Sequence, residues 1–401
     1  MDLFKKIAQK IGALIIVLVI SNFIYKAYFF QSDLEVHAPG YELVAEIPEQ
    51  VNILYLGESS NDSYREDDID HRKISDMLGD YFPDLITHGI TKKASHAEVY
   101  YSLLKNIPKS SQIETVVLTL NLRSFNAQWM FSNLETPIQK EMVLLKPYPA
   151  LMNRFLLSFK AYDIKTDQER EKQFKAYWIN NPFDVNIDLI HENTADWDYW
   201  MATNGIKDED GNIDWDLTVL ASHYIKAYAF QIDTNNHVRI DDFRDIIELA
   251  RKRNWNLVVN LLAENTEKAE SLVGPELIYF MQENRDILQE FFESKGVLFV
   301  DNLDDVKDEQ YIDQHWTTEH YAQLGRNIIA MNIADSIKFL YPNNFRQGLT
   351  VFNDFEDKSN WHQLQTIKKG NAFSGEYASQ IEDDKMYSAT FYYPIELIPN
   401  D

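Results

Sequence analysis

Two short stretches hold the residues best suited to chemistry. The first is Gly57-Glu58-Ser59-Ser60-Asn61-Asp62, directly after the apolar run Val51–Gly57. In a parallel α/β sheet, reactive groups collect at the C-terminal ends of strands. A glycine permits a sharp turn there, and a following helix N-terminus offers N–H groups to an oxyanion. The same residues would also serve as an ordinary helix cap. The second stretch is Asp313-Gln314-His315-Trp316-Thr317. A serine nucleophile needs a base, and the base needs an orienting acid. His315 and Asp313 offer both, although as a pair on their own they would equally suit a cap and a packed histidine.

The elements around these stretches alternate. Short apolar runs at 51–57, 84–89, 114–122, 254–265 and 297–302 read as buried strands. Helical spacing is found at 95–106, 240–253, 275–295 and 319–340, and Gly296 and Pro342 stand where helices stop. Strands alternating with helices predict a parallel central sheet covered on both faces, an α/β three-layer sandwich over residues 50–342. Ser59 then falls after the first strand and the Asp313–Thr317 block just before the last helix.

Residues 123–239 interrupt the alternation with a long aromatic insertion that includes Trp129, Tyr177, Trp178, Trp197, Trp200 and Trp215. Insertions of this size form lids, substrate walls or partner surfaces, or else helical subdomains whose aromatics are simply core. Within it, Asp208–Asp214 faintly resembles a calcium loop but lacks the full ligand ladder, so it reads as an acidic turn. No metal site or cofactor site is expected. Residues 343–401 change character and read as short strands of a β-sandwich-like segment that is incomplete as it stands.

The N-terminus sets the compartment. Lys5, Lys6 and Lys10 lie in a tail at 1–10, ahead of the apolar run 11–30, in which Lys26 is the one charged residue. Twenty helical residues cover about 30 Å, the thickness of a hydrocarbon core. Basic residues before the run keep the N-terminus in the cytoplasm and send the remainder across. The exit Tyr28-Phe29-Phe30-Gln31 lacks a small-x-small cleavage site, which favours an uncleaved anchor over a signal peptide or a buried soluble helix. Residues 31–49 read as a polar linker. The expected location is the inner (cytoplasmic) membrane, single-pass, with the C-terminal domain periplasmic. With 38 basic against 63 acidic residues, the net charge of −25 argues against nucleic acid as a partner. The chain has no cysteine, which excludes disulfides, thiolate metal sites and a cysteine nucleophile.

The Gly57-Glu58-Ser59 turn together with Asp313-x-His315-Trp316-Thr317 resembles the SGNH/GDSL hydrolase superfamily, and within it the membrane-anchored proteins of alginate O-acetylation and teichoic acid D-alanylation. The resemblance covers roughly residues 50–342. It implies a flavodoxin-like SGNH fold with Ser59 as nucleophile, His315 as general base and Asp313 as orienter. The family's second block places an oxyanion glycine after the second strand. By spacing that position falls near Lys92, with Gly89 close by. The third block, usually Gly-x-Asn-Asp, corresponds to Asn121-Leu122-Arg123-Ser124, where Asn121 or Arg123 would donate.

What the resemblance implies is a serine-dependent acyltransferase that moves an acyl group, acetyl foremost, onto a cell-envelope or exported polysaccharide, working with a polytopic membrane acyltransferase. A carbohydrate esterase with the same triad is the alternative. A catalytically silent glycan-binding scaffold is a third.

Overall fold

The computed structural model describes residues 2–38, 40–131, 135–162 and 166–346, and the backbone of 367–369 and 377–379. The chain divides into two units, Met1–Asn344 and Phe345–Asp401. In the second unit the described residues form one antiparallel strand pair, Ile367–Lys369 with Tyr377–Ser379. The rest of the expected β-sandwich-like segment lies outside the described residues.

In the first unit, helix α1 (Asp2–Tyr28) carries the apolar run. It is long and apolar enough to cross a membrane, with a mean hydropathy of 2.1 over an 18-residue window within Leu3–Tyr28 and none of that window buried in the protein. The expected polar linker is instead two short helices, α2 (Phe30–His37) and α3 (Gly40–Ala45). Their few apolar residues find partners: Leu34 and Ala38 are buried with Val143, Leu144 and Leu157 of the insertion. A mixed composition hides such a contact, because two apolar side chains suffice to dock a two-turn helix.

The central sheet is built from β1 (Ile53–Gly57), β2 (Thr87–Thr91), β3 (Thr115–Leu120) and, after the hairpin strands β4 (Ile206–Lys207) and β5 (Ile213–Asp214), β6 (Asn256–Leu261) and β7 (Leu298–Asp301). Its order is β2-β1-β3-β6-β7, with every neighbouring pair parallel. Counting only the five sheet strands, this is the 2-1-3-4-5 order of flavodoxin-like doubly wound sheets, whose ligands bind at the carboxyl ends of the strands. Every residue of β1 and β3 is buried, as strands covered on both faces require.

The period-2 alternation assigns those residues to two layers. Leu54, Leu56, Val116, Leu118, Val259 and Leu261 join one large core. That core includes α5 (Ala97–Asn106) and, further along the chain, α12 (Val238–Arg253) and α14 (Pro275–Glu293). Ile53, Tyr55, Val117 and Val258 point the other way. That face is covered by α4 (Ile74–Asp80) and the last helix, α15 (Gln323–Ile337), which pack on each other.

The insertion is helical. It comprises α6 (Ala127–Met130), α7 (Glu135–Leu144), α8 (Ala150–Ser158), α9 (Asp167–Asn180), α10 (Thr194–Asn204) and α11 (Trp215–Tyr228); α13 (Thr266–Val273) follows β6. Helix starts carry side-chain caps of the expected kind: Thr166 for α9, Asn193 for α10, Asp214 for α11 and Asn265 for α13. Of the insertion's aromatics, Trp178, Trp197, Tyr224 and Tyr228 are buried, whereas Tyr199, Trp200 and Trp215 remain exposed. The acidic segment 208–214 is a hairpin turn: the Asp208 carboxylate accepts the backbone N–H groups of Asp210 and Asn212, and Gly211 takes φ +82°. Among the described residues no cluster of three metal-ligating side chains occurs.

Two boundaries differ from the sequence reading. The second strand is displaced to Thr87–Thr91, so Gly89 sits inside it rather than at its exit. The last helix begins at Gln323, not at residue 319, which leaves 311–322 as a loop.

Candidate active site

The serine turn is held from below. Gly57 closes β1, and a Cβ there would stand 2.8 Å from both Asn61 Cβ and a Tyr55 ring carbon, so the turn as built requires glycine. Residues Ser59–Asn61 make one 3₁₀ turn, and the Glu58 carboxylate accepts the Ser60 N–H. Asn61, fully buried, ties the turn to two other elements. Its Oδ1 accepts the Ser75 N–H at 2.9 Å, and its Nδ2 donates to Thr91 Oγ1 at 2.8 Å and to Ser75 Oγ at 3.2 Å. The helix-cap reading is thereby assigned to Glu58, which leaves the Ser59 hydroxyl free for another partner.

That partner is His320. Its Nε2 lies 2.9 Å from Ser59 Oγ, and its Nδ1 lies 2.7 Å from Asp313 Oδ2. A carboxylate only accepts, so Nδ1 carries the proton and Nε2 accepts from the serine hydroxyl. Thr318 Oγ1 donates to the same Asp313 oxygen at 2.5 Å. Ser59, His320 and Asp313 therefore form a hydroxyl–imidazole–carboxylate chain with every link inside hydrogen-bond reach.

The structure puts His320, and not the expected His315, against Ser59. Residues 311–321 form a hairpin loop closed by a bridge between Tyr311 and Tyr321 and by the Ile312 N–H donating to His320 C=O at 2.9 Å. Asp313 and His320 face each other across its neck. His315 and Trp316 lie at the exposed tip, where the Trp316 ring rests 3.9 Å from that of His223. Asp-x-His proximity in sequence suggested one partner, whereas hairpin geometry supplies another seven residues on. Alternation was the available signal. In the extended stretch 319–321, Glu319 and Tyr321 are buried and His320 between them is half-exposed, on the Ser59 side. The Tyr321 hydroxyl donates to Ala263 C=O at 2.7 Å and fastens the loop past the end of β6.

Glu319 anchors a second cluster beneath the first. Arg123 grips it with both arms of its fork, Nε to Oε1 at 2.5 Å and Nη2 to Oε2, and Asn121 Nδ2 donates to Oε2 at 2.8 Å. Asn121 and Arg123, the expected oxyanion donors, are thus joined to the residue next to His320. The guanidinium also lies 5.3 Å from the Trp129 ring centre. Two further buried carboxyl groups complete the cluster, Glu58 and Glu264, the latter receiving the Tyr228 hydroxyl at 2.5 Å.

With several carboxyl groups near one guanidinium, not all can ionise. Burial, then the charge of Glu319, raises both Glu58 and Glu264 above the usual carboxyl range. Burial works against the charge of Arg123, but the neighbouring carboxylate outweighs it and keeps the guanidinium charged. Glu58 Oε2 lies 3.3 Å from Ser59 Oγ.

Gly89 and Lys92 do other work. A Cβ on Gly89 would meet Ser75 Oγ at 2.1 Å, so the glycine makes room for α4. Lys92 is ion-paired with Glu141 of α7 at 3.0 Å. A separate cavity of about 430 Å³ opens in the insertion, lined among others by Gln139, Gln173, Tyr177, His237 and Arg239, and by none of the three triad residues.

Fold and site together define a doubly wound α/β protein with a Ser–His–Asp constellation at the carboxyl end of its first strand. No protein-family profile matches the chain, and no curated protein matches it. Among solved structures, one from Streptococcus pneumonia, provisionally described as a platelet activating factor, aligns over 80% of this chain and 99% of its own at 12% identity. Its TM-score is 0.34, and a likeness at that level carries no argument here.

Proposed function

We propose that the protein is a membrane-anchored serine acyltransferase of SGNH type, acting outside the cytoplasm on a hydroxyl-rich polysaccharide. The observation that carries this reading is the unbroken chain Ser59 Oγ–His320–Asp313 at 2.9 and 2.7 Å. In the first half-reaction Ser59 Oγ attacks the acyl carbonyl while its proton passes to His320 Nε2, and Asp313 stabilises the imidazolium. Collapse of the tetrahedral intermediate returns that proton to the leaving group and leaves acyl-Ser59. In the second half, Nε2 takes a proton from an acceptor hydroxyl, whose oxygen attacks the acyl carbon; collapse expels Ser59 Oγ, which takes that proton back from Nε2. The Ser59 backbone N–H is the oxyanion donor in this reading, while the Asn121 amide is engaged by Glu319.

The resemblance supports the reading through Ser59 and Asp313, and departs from it in the base, since His320 stands seven residues after Asp313. Single-pass insertion in the inner membrane with a periplasmic body is part of the same proposal, and α1 is compatible with it. A polytopic partner that delivers the acyl group belongs to it as well. One observation favours hydrolysis as a second reading: the side chains of His320 and Asp313 are 26% and 38% exposed, so water reaches the base.

The test is acetyl transfer from p-nitrophenyl acetate by the full-length protein, followed by mass spectrometry. Acetyl-Ser59 that is absent from Ser59→Ala and His320→Ala supports the reading. Faster decay of acetyl-Ser59 with added oligosaccharide, with an acetylated sugar as product, favours transfer. Decay unaffected by sugar favours the esterase.

A further inference from the structure

The α7–α8 portion of the insertion packs on the apolar helix and not only on the sheet domain. Asn22, a polar residue within the apolar run, accepts the Leu151 N–H of α8 at 2.9 Å, one of the amides that a helix start leaves without an internal partner. Between the two helices lies an apolar groove of about 350 Å³ lined by Ile15, Leu18, Val19, Leu151, Met152 and Phe155. The contact therefore falls on residues 15–22, inside the run that would cross the bilayer.

Around this contact α8 keeps its polar groups paired and its apolar groups outward. Asn153 is buried and donates to Leu144 C=O and Lys146 C=O. Arg154 pairs with Asp33 at 3.0 Å and donates to Ser158 Oγ. By contrast Tyr148, Met152, Phe155 and Phe159 are 55%, 47%, 44% and 78% exposed. Met152 and Phe155 continue the apolar groove beside α1, and Tyr148 and Phe159 stand exposed at the two ends of the helix. Lys146 and Lys160, both exposed, bracket the segment. Aromatic side chains flanked by lysines whose stems reach back to the headgroups mark a membrane interface, and a helix satisfies its own backbone in lipid.

We infer that residues 146–160 form a second membrane contact, with α8 lying against α1 at the level of residues 15–22 and Met152, Phe155 and Phe159 among lipid acyl chains. This rests on the anchor reading of α1 given above. Together with α2, whose Leu34 is buried against Val143, Leu144 and Leu157, it holds the catalytic body at a fixed level above the bilayer instead of on a loose linker. The occupant is lipid because the surface continues the helix that lipid would already surround.

The absence of cysteine makes the test direct. Single cysteines are introduced as Val17→Cys, Phe155→Cys, Phe159→Cys and, on an exposed helix, Lys175→Cys, each labelled with an environment-sensitive fluorophore. The full chain is reconstituted in phosphatidylcholine vesicles containing acyl-chain nitroxide lipid. Labels at 17, 155 and 159 should lose at least about half their emission to the nitroxide and resist aqueous iodide, while 175 shows the reverse. Quenching at 17 with iodide access at 155 and 159 would overturn the second contact and leave the anchor standing. No nitroxide quenching at 17 would overturn the anchor reading itself. Protection of 155 and 159 from both quenchers would place a second copy of the chain on α8 and refute the lipid assignment.

Discussion

The two charged clusters at the end of the sheet differ in one respect that explains both. The triad is half-open: its histidine meets solvent, and its hydroxyl and carboxylate are connected through that one ring. The Arg123–Glu319 cluster is sealed, with Arg123, Glu319, Glu58 and Glu264 all buried. An open cluster can exchange protons and admit an acyl group. A sealed one cannot, and its cost in desolvation is offset only while every partner remains in place. The sealed cluster therefore acts as the frame. Glu319 and His320 are adjacent, so the ion pair that fixes one fixes the ring of the other.

The sharpest break between the clusters is loss of the nucleophile or base. Ser59→Ala or His320→Ala should each lower acyl-ester turnover by at least about 10³-fold, and the double variant should lose little more, because a triad acts as a unit. Thermal unfolding should barely move in either. The sealed cluster should show the opposite pattern. Glu319→Gln leaves the Arg123 charge buried without its counter-charge and should cost about 3–5 kcal/mol in chemical denaturation.

A buried histidine in the insertion gives a smaller, pH-dependent effect. Burial depresses His237 to about 4, well under the 6.5 of an unfolded histidine. The unfolded chain then binds the extra proton first as pH falls. Stability from the neutral ring is complete above pH 6.5 and is lost progressively between 6.5 and about 4, by at most about 3 kcal/mol. His237 caps α12 by accepting the Arg239 N–H, and asparagine caps equally well. His237→Asn should therefore keep most of the stability at pH 7.5 and flatten its loss toward pH 4 in urea titrations. An undiminished slope in the variant would reject this cause.

Gly89→Ala should cost about 1–3 kcal/mol, since its Cβ meets Ser75 at van der Waals overlap. Its effect on activity should follow stability, as a packing role requires. The smallest effect belongs to His315→Ala, whose side chain is at the exposed hairpin tip. Activity should stay within about twofold of the parent, as for surface changes generally.

Much of the sheet was legible from residues such as Val116–Leu120 and Leu257–Leu261, because doubly covered strands read as continuous apolar runs. Ser59 was legible for the same reason: a Gly-x-Ser turn after such a run has one place to go. The base was not. Glu319-His320-Tyr321 looks like a first helical turn, and its extended conformation depends on long-range anchors, Arg123 for Glu319 and Ala263 for Tyr321, that spacing does not announce. The segment 31–49 was misjudged similarly, since the docking of Leu34 depends on Val143 and Leu144, more than a hundred residues away.

The proposed function requires His320, and not His315, to activate Ser59. The most direct measurement is the rate at which a fluorophosphonate modifies the full-length protein, read by intact mass and peptide mapping. A single adduct on Ser59 is expected, formed at the parent rate in His315→Ala and at least about 100-fold slower in His320→Ala. A parent-like rate in His320→Ala, a collapse in His315→Ala, or an adduct on any other residue would contradict it.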